Sequence, residues 1–245
     1  MRTTVVIPTY NEAANIETVV RAVRAVMPSA GVLVVDDGSP DGTADIAERL
    51  GAELGSVEVL RRSSKDGLGA AYRAGLREAI GRGAEICVQM DADLSHDPAV
   101  LPALVANVEL GADLAIGSRY VPGGRTVDWP RRRRMLSRWA NRYVAGVLGL
   151  AINDATAGYR AYSTAALERM RFESVRADGY GFQIEMTHRL VRAGGRVVEF
   201  PITFPDRAEG VSKMSGNIIR EALLLVMRLW WGDFGGRRRR RAIGG

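Results

Sequence analysis

The chain has 245 residues, enough for one large core or two small domains, with 47% apolar and 25% charged residues. Its net charge is +6, but Arg237–Arg241 supplies five of those charges, so the near-neutral remainder excludes a domain that offers a whole basic face to nucleic acid. Cys87 is the sole cysteine, which excludes an intrachain disulfide, and no run of about 18 apolar residues offers a spanning helix.

Taken in order, strand-like and helix-like segments alternate. "TTVVIP" reads as a strand and Asn11–Met27 as a helix with Ile16, Val19, Val20, Val23 and Val26 on one side. "GVLVVDD" is a second strand, followed by a helix from about Thr43 to Leu54 with Asp41 or Thr43 as its cap. "VEVL", then the helix "GLGAAYRAGLREAIG", "EICVQMD", a helix over Pro98–Glu109 and "ADLAIGS" continue the pattern. Cys87, inside the apolar run before the acids, reads as a small buried hydrophobe. This alternation predicts an α/β fold, doubly wound on a mostly parallel sheet, which binds ligands beyond the carboxyl ends of its strands.

After Tyr120 the pattern changes. "VPGGRTVDWP" reads as a loop and "RRRRMLSRWANRYVAGVLGLAI" as a helix, followed by "DATAGYRAYS". A helix around Gly181–Ala193, a strand "RVVEFPITF", a loop through Lys213 and a last helix from about Gly216 to Trp231 complete the chain. Residues 1–236 form one expected domain, 1–119 its first half and 120–236 its second, and 237–245 is a basic tail.

The polar signatures fall at strand ends. Asp91 and Asp93 would share a face of an extended segment and repel unless a cation sits between them. Mg²⁺ or Mn²⁺, held by one or two carboxylates with water and substrate phosphate, suits such a pair. A surface turn with two solvated aspartates suits it as well. Asp36 and Asp37 suit hydrogen bonds to a base or ribose, although "GSPDGT" is also a strong turn signal. No GxGxxG or P-loop pattern follows the first strand, which argues against a dinucleotide enzyme or a P-loop NTPase.

In order and spacing, "VVIPTYNEAANI", "VVDDGSPDGT", "GLGAA", "MDADLSH" and "IGSRY" resemble the inverting glycosyltransferases of family 2, with their GT-A fold. "DWPRRRRMLSRWAN", "DATAGYRAY", "GYGFQIEM" and "FPDRAEGVSKMSG" are similar to segments of the polyprenol-phosphate (dolichol-phosphate) mannose synthases. The resemblance implies that Pro8, Tyr10, Glu12, Val35 and Asp37 hold the guanosine of GDP-mannose. It implies that Asp91, Ala92 and Asp93 meet ribose, phosphates and cation, with Ser95 where some members carry a metal-ligating Gln. Arg119, Arg133, Arg207 and Lys213 match basic residues around the diphosphate and the acceptor phosphate. Asp91, Asp93 and Arg119 are thus the expected catalytic set, and Gln183 stands where some members carry Lys. Mannose transfer to a polyprenyl phosphate is the implied reaction; glucose transfer from UDP-glucose is the alternative on the same fold. A non-catalytic module binding RNA or anionic lipid through Arg237–Arg241 is the alternative of another class.

The helices also suggest a membrane surface. Arg131, Arg134, Arg138 and Arg142 make a basic stripe beside Met135, Trp139 and Tyr143, the pattern of a helix lying among headgroups. The last helix has a narrow polar strip of Asn217, Arg220, Glu221 and Arg228, and ends in Trp230 and Trp231 before the basic run. Core packing or a membrane-embedded partner protein would serve those apolar faces equally. The expectation is peripheral attachment to the cytoplasmic face, without signal peptide, spanning helix or nucleic-acid partner.

Overall fold

A computed structural model of the protein describes residues 1–206 and 221–233. Five parallel strands follow the expected alternation: β1 (Thr3–Thr9), β2 (Gly31–Asp36), β3 (Val57–Arg61), β4 (Ile86–Gln89) and β5 (Leu114–Ser118). Between them run α1 (Ile16–Val26), α2 (Thr43–Leu54), α3 (Leu68–Gly81) and α4 (Leu101–Glu109), the last preceded by a 3-10 turn at Pro98–Val100. β6 (Arg125–Thr126), α5 (Arg131–Leu148), β7 (Arg160–Ser163), α6 (Thr164–Arg169), α7 (Gly179–Arg192), β8 (Val197–Pro201) and β9 (Thr203–Phe204) follow. Residues 221–233 are helical.

The main sheet has the order β3-β2-β1-β4-β7-β5-β8, parallel except for β7, which runs antiparallel to both β4 and β5. Alternate strand residues face opposite layers. Val5, Ile7, Val32, Val34, Ile86 and Val88 pack with Ile16, Val19, Val23, Leu50, Leu101 and Leu104 of α1, α2 and α4. Val6, Leu33, Val35 and Cys87 pack with Tyr72, Leu76, Phe182, Met186 and Leu190 of α3 and α7. Coverage of both faces explains why these strands are almost continuously apolar. Gly75 lets α3 press onto the sheet: a Cβ there would lie 2.5 Å from Val6 Cγ1 and 2.7 Å from Val35 Cγ2. A third cluster joins Val144 and Leu148 of α5 to Ile184 of α7 and Val226 of the C-terminal helix.

Several boundaries differ from expectation for local reasons. α1 starts at Ile16, because Asn11 has φ 61° and residues 11–15 form a turn closed by bonds from the Asn15 and Ile16 amides to the Glu12 carbonyl. α2 is capped by Gly42, while Asp41 just before it accepts bonds from the Thr43 amide (3.1 Å) and hydroxyl (2.6 Å). α5 stops at Leu148, where Gly149 takes the left-handed conformation that ends helices. The expected strand "RVVEFPITF" divides at Ile202 into β8 and β9, and β9 pairs with β6. "DATAGYRAYS" contains β7. Since β7 is antiparallel, it begins where β4 and β5 finish, and residues 153–159 therefore arrive over the carboxyl ends of those strands.

Candidate active site

A cleft of ≈ 730 Å³ lies at those strand ends. Its wall includes Pro8, Tyr10, Glu12 and Asp37 at one end, Asp91, Ala92 and Asp93 in the middle, and Arg119 and Arg133 at the other. Thus nine of the residues singled out from sequence share one cavity. Val35 does not: its side chain is fully buried against α3, so it can offer a ligand only its backbone. Arg207 and Lys213 lie outside the described residues, as does Arg237–Arg241.

The acids are not presented by an extended strand. β4 ends at Gln89, and the chain bends through Ala92–Leu94, with Leu94 at φ 61°. Tyr72 of α3 donates its hydroxyl to Asp91 Oδ1 at 2.9 Å, and the Asp91 amide donates to His96 Nδ1 at 3.0 Å. Burial, with Asp91 adding to it, raises the Tyr72 phenol well above its ordinary range, so it remains a donor. Asp93 Oδ1 accepts both the amide (3.1 Å) and the hydroxyl (2.5 Å) of Ser95. Ser95 is buried and supports Asp93 rather than forming part of the cleft wall. Gly158 leaves room beside the acids, since a Cβ there would sit 3.4 Å from Asp91 Oδ2.

At the first end, Asp36 is occupied in building a turn: it accepts from Thr9 Oγ1 (3.0 Å) and from the Ser39 amide (2.8 Å) and hydroxyl (2.6 Å). It is buried and absent from the cleft wall, so of the two acids only Asp37 borders the cavity. Asp37 pairs with Arg62 Nη1 at 2.6 Å; burial raises its carboxyl, and the Arg62 charge opposes that rise. Lys65 Nζ stands 3.6 Å over the Tyr10 ring.

The opposite end is basic and aromatic. Arg119 is buried and donates to Asp154 through Nε (2.7 Å), Nη2 (2.6 Å) and its backbone amide (3.0 Å); Nη2 also reaches Thr156 Oγ1. Burial pushes the Asp154 carboxyl up, and the charge and hydrogen bonds of Arg119 more than reverse this, holding it below the usual carboxylate range. The guanidinium sits 5.3–5.4 Å from the rings of Tyr120, Trp129 and Phe204. Arg133 stacks 3.9 Å over Trp129 and pairs with Asp206. Phe204 also meets His96 edge-on at 5.5 Å, and His96 stacks on Tyr159 at 4.7 Å. Aromatic contacts thereby link the acid-bearing loop to the arginines. The sequence assigns no role to Asp154, Trp129, Tyr72 or Phe204. Asp154, Trp129 and Phe204 stand inside the segments "DATAGYRAY", "DWPRRRRMLSRWAN" and "FPDRAEGVSKMSG", whereas Tyr72 carries no local signal that distinguishes it from a core residue.

Beside this end lies a smaller apolar recess lined by Leu136, Trp139, Tyr143, Val144, Ile184, Leu223 and Val226, among others. Arg119, Trp129, Thr156, Tyr180 and Ala222 belong to both cavities. His188 is buried on α7 and meets Asp233 of the C-terminal helix at 3.2 Å, where Arg192 also pairs.

The description "Glycosyl transferase family 2" is matched over residues 4–171. The chain is 51% identical to the polyprenol monophosphomannose synthase of Mycolicibacterium smegmatis, across 99% of this chain and 91% of that protein. It is 50% identical to the undecaprenyl-phosphate mannosyltransferase of Micrococcus luteus, across 95% of this chain and 94% of that one. Among solved structures, the Pyrobaculum calidifontis mannosyltransferase PcManGT, in complex with GDP-Man and Mn²⁺, superposes with a TM-score of 0.59 at 23% identity, covering 89% of this chain and 59% of that one. These likenesses agree with the GT-A architecture and set aside the reading of a non-catalytic basic module. The chain therefore belongs to glycosyltransferase family 2, within its polyprenol-phosphate mannose synthase group.

Proposed function

We propose that the protein transfers mannose from GDP-mannose to a polyprenyl phosphate, with inversion, releasing GDP. The observation that carries this reading is the joining of two unlike cavities through shared residues. An acid-bearing cleft suits a nucleoside diphosphate sugar with a cation, and an apolar recess beside Arg119 and Trp129 suits the lipid end of an acceptor phosphate. In this reading residues 1–119 chiefly serve the donor and 120–236 chiefly the acceptor.

A phosphate monoester has a second pKa of about 6 and reaches the site already ionised. Its oxygen forms the new bond to mannose C1 as the bond from C1 to the GDP oxygen breaks, so no side chain need remove a proton. The protein's task is to bring two anions together and neutralise the departing diphosphate. Arg119 and Arg133 are suited to phosphate oxygens, and Arg207 and Lys213 are assigned the same role. The paired carboxylates Asp91 and Asp93, both on the cleft wall, suit a hard cation whose shell water and diphosphate would complete. Bound Mg²⁺ or Mn²⁺ would act as Lewis acid toward the leaving group.

We also propose that the enzyme sits at the cytoplasmic surface of a membrane. No described helix is long and apolar enough to cross one. Exposed Met135 and Trp139 lie beside the arginine stripe of α5, and Leu224, Met227 and Trp231 are exposed on the C-terminal helix. Such surfaces suit a headgroup layer or a membrane-embedded partner protein.

The test is turnover of labelled GDP-mannose and UDP-glucose with polyprenyl phosphate and Mn²⁺ or Mg²⁺. Mannolipid formation that chelator abolishes is the expected result. Turnover of UDP-glucose alone would replace mannose with glucose, and turnover of neither would reject the reading.

A further inference from the structure

Gln183 lies on the first turns of α7, and its side chain is unusual for a buried amide. The residue is 3% exposed, and neither Oε1 nor Nε2 has a protein partner among the described residues. Folded proteins pair the great majority of buried polar side-chain atoms, so two unpaired atoms on one amide require a cause. Gln183 forms part of the cleft wall. Gln89 supplies the contrast: its amide is also unpaired, but it lies fully inside β4 and away from the cleft, where an internal water suits it. Gln183 differs in bordering the cleft, so its buried amide lies next to whatever fills that cavity.

Its position is fixed by the backbone. Arg160, fully buried, donates to five neutral oxygens: the carbonyls of Ala155, Ala157 and Gln183, and the hydroxyls of Tyr162 and Thr187. The guanidinium thus ties the turn carrying Gln183 to the loop over the acids. The adjacent Phe182 stacks on Tyr72 at 5.9 Å, and Tyr72 bonds Asp91. Through these links a group that meets Gln183 from the cleft sits near the acid pair. On the donor assigned above, the sugar lies next to the diphosphate and the base lies farther away.

We infer that Gln183 is a donor-sugar contact, its amide making a two-point hydrogen bond to neighbouring hydroxyls of the transferred hexose. An amide both donates and accepts, as do hydroxyls; a lysine only donates and a carboxylate only accepts. This inference rests on the donor reading, and the experiment separates the two.

The full-length protein, wild type and Gln183→Met, is titrated with GDP-mannose and separately with GDP at one fixed Mn²⁺ concentration, and its melting temperature is recorded. Replacing an unpaired amide by an apolar side chain of similar size leaves stability unchanged or raises it. The expected result is a loss of GDP-mannose affinity of about tenfold or more, GDP affinity within twofold, and no drop in melting temperature. Gln183→Glu, which keeps an acceptor, is expected to lose less. Equal GDP-mannose binding by both proteins, equal loss of GDP and GDP-mannose binding, or failure of Gln183→Met to fold would each overturn the inference. Wild-type protein that binds neither nucleotide would instead overturn the donor reading on which it depends.

Discussion

Asp154 grips Arg119 through both carboxylate oxygens and also accepts its backbone amide, with the acid fully buried and the arginine 6% exposed. The pair joins the end of β5 to the loop that β7 brings across the sheet. Glu199 on β8 secures that loop in turn, accepting the amides of Asn153 (2.8 Å) and Asp154 (2.9 Å). Arg119 consequently enters the cleft wall with its orientation set before any anion arrives. Such preorganisation suits a group that must receive charge without reorganising.

Removing one partner of a buried ion pair leaves an uncompensated charge. Asp154→Ala is expected to cost about 3–5 kcal/mol of stability and to lower kcat/KM for mannolipid formation at temperatures where the variant remains folded. Urea unfolding followed by steady-state kinetics checks both. Unchanged stability would mean that water or another group compensates Arg119.

The same pair predicts an acid limb. Asp154 is held below the usual carboxylate range when folded, so its contribution is fully present above the unfolded value of about 3.9 and is lost as pH falls through the lower folded value. Wild-type stability should therefore fall more steeply than that of Asp154→Asn below about pH 4, while this group adds no slope between neutrality and pH 5. Parallel denaturation curves of the two proteins down the acid range would contradict the assignment.

Tyr72 orients Asp91 through one hydroxyl, and its ring stacks on Phe182 at an interplanar angle of 8°. Tyr72→Phe keeps the stack and deletes the bond. The expected outcome is a several-fold rise in the metal concentration needed for half-maximal turnover, with the GDP-mannose KM at saturating metal little changed. A metal titration of both proteins measures it; coincident curves would show that Asp91 holds its place without the phenol.

Asp91→Asn and Asp93→Asn should each lower turnover by about 10²-fold or more, since each removes charge from the proposed cation site. Both acids are partly exposed at the cleft, so their melting temperatures are expected to stay near wild type. Full transfer activity in either variant would remove the basis of the proposed mechanism.

Cys87 packs inside the sheet, and burial pushes its thiol up to about 12. Native protein should resist iodoacetamide at pH 8 and react only after unfolding, as intact-mass measurement would register. Rapid native labelling would place Cys87 at an accessible surface.

The chain itself determined the alternation of β1 to β5 with their helices. Runs such as "TTVVIP" and "GVLVVDD" are apolar on both strand faces, and a segment of that kind can exist only between two helical layers. That alone directs Pro8, Tyr10, Asp37, Asp91 and Asp93 to one edge of the sheet, because residues following parallel strands share an edge. What the linear order does not contain is the reversal of β7. Only the folded sheet brings Arg160 opposite Gln89 on β4 and Ile116 on β5, and so lays Asp154 and Thr156 against Arg119 and Gly158 beside Asp91. The partners of Arg119 and Asp91 are contributed by segments 35 and 19 residues away respectively. Their hydrogen bonds depend on distances across a packed core, and local propensity carries no information about those.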